Sequence, residues 1–102
     1  MHKVKITVIK KSLFPELAEV YSHPDRSPLP PCQRFEVGQV FYSTGPGDIP
    51  EGFCGWAYAD IQRDIAVVMM GGSMPWMKEE GVQIACCTDG LRPVVFKIER
   101  AE

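Results

Sequence analysis

The segment GVQIACCTDGLRPVVFKIE, residues 81–99, decides the fold. Two runs of strand-favouring residues, 82–87 and 93–98, flank Asp89-Gly90, a dipeptide suited to tight chain reversal, and predict an antiparallel hairpin. A two-residue turn there would pair Ile84 with Val95. Facing the apolar set Val82, Ile84 and Cys86 toward Val94, Phe96 and Ile98 needs the register moved by one. A longer loop or a bulge is therefore expected near residues 88–92.

Outward from the hairpin, the amino-terminal stretch alternates Val4, Ile6 and Val8 with Lys3, Lys5 and Thr7, the period of a half-buried strand. This strand is expected beside the carboxy-terminal one. Ser12 can cap a short helix with Pro15 in its first turn and Leu13, Leu17 and Tyr21 at four-residue spacing. Prolines crowd residues 24–31 and predict an extended connector. Phe35, Val37 and Phe41 again fit period two, with Gly38 as a bulge, before turn-rich residues 43–48. Residues 54–70 read as a long helix with the stripe Ala57, Ile61, Ile65 and Val68, stopped by Gly71-Gly72. The order β-α-β-α-β-β predicts a small single-domain α+β two-layer sandwich over residues 1–102, with a mainly antiparallel sheet and helices on one face.

Composition narrows the function. With 102 residues, 45% hydrophobic and 24% charged, the chain suits one domain with its own core. A net charge of −2 with scattered basic residues offers no phosphate-tracking patch, so nucleic acid is not an expected partner. The unbroken apolar run 65–70 is far short of the ~20 residues of a membrane span. The charge-interleaved amino terminus lacks the layout of a secretory signal, so a soluble cytoplasmic protein is expected. No nucleophile elbow, phosphate loop or dinucleotide fingerprint is present, which disfavours ATP and NAD chemistry.

Four cysteines are the unusual feature: Cys32, Cys54 and the adjacent Cys86 and Cys87. In a reducing cytoplasm they are expected as thiols or ligands, not disulfides. No C-x-x-C is present, so a shared site must come from tertiary folding. Strand alternation keeps Cys86 and Cys87 on opposite faces unless a bulge intervenes, which leaves Cys32, Cys54 and one of that pair as a metal set. Zinc or iron suits thiolate ligation, with water, substrate, His23 or Asp89 as the fourth ligand. Cys54, at the start of the long helix, is the candidate reactive thiol, because unpaired N–H groups and the positive dipole end favour the thiolate. Arg92 could balance its charge, and a redox or thiol-transfer enzyme would be the catalytic version. The competing expectation is that the cysteines are small core hydrophobes.

Weaker candidates surround this set. Asp60 and Asp64, at i and i+4 beside Arg63, could present oxygens to a cation but read as a solvated face. Trp56, Trp76, Asp89 and Arg92 are candidate ligand-binding residues. Trp56, Val67 and Met70 project off the apolar stripe and are followed by Met74, Trp76 and Met77, an excess suited to a homo-oligomer interface or an adaptable ligand surface. Alternatively, the 74–77 loop folds back and covers the helix.

The motifs Pro31-Cys32, Phe35-x-Val37-Gly38-Gln39-x-Phe41, Pro50-Glu51-Gly52-Phe53-Cys54, Pro75-Trp76 and the run CTDGLRPVVFKIE (87–99) span almost the whole chain. Together they resemble a family of small bacterial and archaeal proteins of about this length, for which no activity is assigned. The resemblance implies cysteines at the positions of Cys32, Cys54 and Cys87, with Cys86 replaceable by another small residue. It implies no substrate or cofactor.

Overall fold

The alternation at the amino terminus is realised as β1, Val4–Lys11, in a computed structural model that describes residues 1–101. β1 lies inside a four-stranded antiparallel sheet with β2 (Val40–Ser43), β3 (Val82–Cys86) and β4 (Val94–Arg100), in the order β2-β1-β4-β3. The amino- and carboxy-terminal strands are neighbours, as expected. Their register shifts between Val8 and Lys10, and the extra residue, Ile9, is exposed.

Two helices complete the small α+β fold, α1 (Pro15–Tyr21) and α2 (Gly55–Met69). α2 packs across β1, β3 and β4. Its stripe Ala57, Ile61, Ile65 and Val68 is buried against Val4, Ile6, Val8, Phe96 and Ile98 of the sheet in one core. The helix ends in a Schellman motif: Gly72 N–H donates to Val67 O and Gly71 N–H to Val68 O, with Gly71 at φ 90°. A β-carbon on Gly72 would sit 3.0 Å from both Val67 Cγ1 and Val67 O, so this position accepts only glycine without adjustment. Arg100 of β4 completes the terminus, donating through Nε to Val68 O (3.0 Å) and through a terminal nitrogen to Gly72 O (2.6 Å).

Four local expectations are corrected. α1 is not capped by Ser12. Phe14 is its N-cap residue without a side-chain cap, and Ser12 N–H instead extends sheet pairing to Pro93 O. The buried side of α1 is Ala18, while Leu17 and Tyr21 are exposed, so the four-residue spacing marks a solvent-facing side. The strand expected over 35–41 begins only at Val40. Gly38, at φ 93°, turns the chain while Gly38 N–H and Gln39 O bond to Val8, and Phe35 enters the core from a loop.

The fourth correction concerns the hairpin. Its loop is long, as expected, but Ala85 pairs with Phe96 and Gln83 with Ile98. The side chains of β3 facing the core are thus Gln83, Ala85 and, just beyond, Cys87, while Ile84 and Cys86 point to the exposed sheet face. Small Ala85 leaves room for α2, which crosses β3 closely. No helix among the described residues is long and apolar enough to cross a membrane.

Candidate functional site

Four phenylalanines from separate segments pack together, and one of them, Phe35, reaches the site. Phe35 meets Phe41, Phe53 and Phe96 at centroid distances of 5.8, 5.0 and 5.2 Å, two of these contacts edge-to-face. At the sheet end where β3 stops and β4 begins, Phe35 of this cluster lines a cavity of about 480 Å³. Cys32 and Phe35 enter it from the loop that precedes β2, and Cys54, Trp56 and Ala57 from the N-cap and first turn of α2. Cys87, Thr88, Asp89, Gly90 and Arg92 enter from the hairpin loop, with Val94 from β4.

The three cysteines singled out from the sequence therefore reach one cavity, from elements far apart in the chain. Cys32 and Cys54 are half-buried and Cys87 is buried; all four cysteines are free thiols. Cys54 stands at the N-cap position of α2 with extended backbone and makes no side-chain cap. The first turn of α2 carries no acidic residue, and Cys54, Trp56 and Ala57 at the start of the helix line the cavity. The Cys87 sulfur accepts the Val94 N–H at 3.3 Å, and Cys87 N–H donates to Val94 O. Among the described residues no group of three or more His, Cys, Asp or Glu side chains is placed to hold a metal ion. His23 lies elsewhere, its Nδ1 accepting the Asp25 N–H in the 3-10 turn Pro24–Arg26.

Asp89 organises the loop. One carboxylate oxygen accepts the N–H groups of Leu91 and Arg92 at 3.0 and 3.1 Å, and the other meets Arg92 Nε at 3.3 Å. Partial burial pushes the Asp89 carboxyl up. The two N–H donors and the Arg92 guanidinium outweigh it, and the net effect holds the group below the ordinary carboxylate range.

Asp60 and Thr88 supply the opposite support, which the sequence did not reveal. Asp60 Oδ2 accepts both Thr88 N–H (2.7 Å) and Thr88 Oγ–H (2.9 Å), and Thr88 Oγ in turn accepts the Trp56 indole N–H at 3.2 Å. The i, i+4 pair Asp60 and Asp64 is thus not a solvated face. Asp60 ties α2 to the loop, and Asp64 is only 7% exposed. With partners 28 residues apart, no local pattern could indicate the Asp60 contact.

Of the candidate ligand-binding residues, Trp56, Asp89 and Arg92 line the cavity, whereas Trp76 does not. Trp76 is 72% exposed in the segment between α2 and β3. Trp56 and Met70 are also strongly exposed, while Val67, Met74 and Met77 are half-buried.

Fold and cavity together define a small α+β domain with a thiol-lined pocket at one end of its sheet. Compared with protein-family models, characterised proteins and solved structures, the chain finds no match.

Proposed function

We propose that this protein is a small-ligand-binding module whose ligand lodges among Cys32, Cys54 and Cys87. The observation that carries the reading is that these three thiols, from three separate chain segments, line one cavity of about 480 Å³. That volume lies within the roughly 300–1,000 Å³ of small-molecule sites. Apolar walls with a few convergent polar groups are the usual make-up of such sites, and Phe35, Ala57 and Val94 beside Thr88, Asp89 and Arg92 match it. The family resemblance, which implies cysteines at these same three positions, supports the reading. Zinc, iron or another thiophilic metal would need the sulfurs to close around it, so ligand binding without metal is the preferred form.

Native-state labelling with fluorescein maleimide, mapped by mass spectrometry, tests this. Exposed Cys86 should label freely. One cavity thiol should label as well, and that bulky adduct should then shield the other two from iodoacetamide. Cavity thiols inert to both reagents, as core packing residues would be, or all three labelling independently, would overturn the reading.

A second reading, a homo-oligomeric or accessory interaction subunit, is favoured by Trp56, Met70 and Trp76, which are 70%, 61% and 72% exposed. Light scattering decides it, since a monomer at high concentration removes the need for a self-association surface.

A further inference from the structure

We propose that the ligand of this cavity is a small monocarboxylate, bound through the terminal nitrogens of Arg92, with its body lying over the thiols. The inference rests on the reading of the cavity as a ligand site and names what that site selects.

Arg92 carries the argument. Its side chain is 26% exposed and lines the cavity, yet Asp89 engages it only through Nε. The second Asp89 oxygen is taken by the N–H groups of Leu91 and Arg92. The ion pair therefore holds the arginine stem in place and leaves both terminal nitrogens without a protein partner among the described residues. A guanidinium offers parallel N–H groups in a planar fork, and the two-oxygen acceptor that matches it is a carboxylate.

The surroundings narrow the charge. Arg92 and Asp89 are the charged residues of the lining and cancel formally, so a dianion such as a phosphate monoester would meet a single cation already half engaged. One negative charge is the better fit. The start of α2 has no side-chain cap and contributes Cys54, Trp56 and Ala57 to the lining, which brings a positive dipole end near the same space without adding a formal charge. The apolar remainder, Phe35, Ala57 and Val94, suits the hydrocarbon part of such an acid.

Iodoacetate and iodoacetamide test the proposal, because they present the same reactive carbon with and without a carboxylate. Each alkylates by thiolate displacement of iodide, and Cys86, exposed in the same chain, is the internal reference. At the cavity thiols the iodoacetate-to-iodoacetamide rate ratio should exceed the ratio at Cys86. Arg92→Gln should lower the cavity ratio about tenfold, equivalent to about 1.4 kcal/mol, the ratio cancelling any change in thiol reactivity common to the two reagents. Equal ratios at both places, insensitive to Arg92→Gln, overturn the carboxylate inference while leaving a neutral-ligand site standing. Cavity thiols that react with neither reagent overturn the ligand-site reading and this inference with it.

A measurement on the unsubstituted protein stands independently of whether Arg92→Gln folds. Benzoate should slow iodoacetamide labelling of the cavity thiols and benzamide should not; equal protection by the two, or none by either, counts against the proposal.

Discussion

Replacing Asp60 by alanine should loosen the cavity wall and lower stability together. In the native protein one carboxylate oxygen accepts two Thr88 donors at 2.7 and 2.9 Å, and these are the bonds that fasten the start of the hairpin loop to α2. A hydrogen bond to a charged group contributes roughly 1.5–3 kcal/mol net. Thr88 is exposed, so water replaces much of what is lost, and the expected cost of Asp60→Ala is about 2 kcal/mol rather than the sum of two such bonds. For a domain of this size each kcal/mol moves Tm by roughly 4–8 °C, giving a fall of about 8–16 °C in a thermal melt. Asp60→Asn, which keeps a neutral acceptor, should fall about halfway. Because Thr88 Oγ also accepts the Trp56 indole N–H, the variant should alter Trp56 fluorescence, and a cycle with Thr88→Val should return a coupling of about 1 kcal/mol. If Asp60→Ala melts within about 4 °C of the parent, it behaves as an ordinary surface substitution, and the account of Asp60 as the tie between helix and loop is refuted.

Three further perturbations follow from the same geometry. Arg100→Met removes both side-chain bonds at the end of α2 and should cost about 2 kcal/mol in urea unfolding, with faster amide exchange at Gly71 and Gly72; unchanged exchange would show the Schellman motif to be self-sufficient. Asp89, held below the ordinary carboxylate range in the folded state, adds stability that is complete above its unfolded pKa and is lost as pH falls through the folded value. Asp89→Asn should accordingly lower stability at neutral pH and flatten the acid dependence below about pH 4, measured by urea melts across pH. Phe35→Ala, at a side chain 2% exposed among three other rings, should cost roughly 3–5 kcal/mol and open the cavity floor, read as a lowered urea midpoint.

Legibility in the sequence tracked the range of the interactions concerned. β1 and the stripe of α2 were readable because every second or fourth residue carries its burial, and Val4, Ile6, Val8, Ala57, Ile61, Ile65 and Val68 are all in the core. The end of α2 was readable because Gly71 must adopt positive φ. Phe35 misled because period two extends through it, yet Gly38 turns the chain, and an aromatic side chain can reach the core from a loop. β3 misled more deeply. Its more apolar alternate set, Val82, Ile84 and Cys86, faces outward because register with β4 follows from the loop and from the space α2 needs, neither of which hydropathy records. The joining of Cys32 and Cys54 with a residue of the hairpin was conceivable from strand parity. Asp60 and Thr88 were not, because their meeting depends on where α2 crosses the sheet.

The register of β3 also separates two adjacent thiols into different chemistries. Cys86 pairs with Val95 and is exposed on the open sheet face; Cys87, one residue on, is 9% exposed, lines the cavity and accepts the Val94 N–H. Cys86→Ser replaces an exposed side chain with no cavity contact and should change stability by no more than about 0.5 kcal/mol, leaving labelling of the cavity thiols intact. Cys87→Ala removes an acceptor from a buried N–H, which costs about 1–3 kcal/mol, and takes one sulfur out of the cavity. Chemical denaturation and thiol mapping on the two variants give a direct comparison at neighbouring positions. Equal destabilisation by both would mean that the six-residue loop, 88–93, does not hold the register as described, since a slip of one residue exchanges the inward and outward sets of the whole strand. A silent Cys86→Ser beside a costly Cys87→Ala would instead tie the cavity's chemistry to the length of that loop.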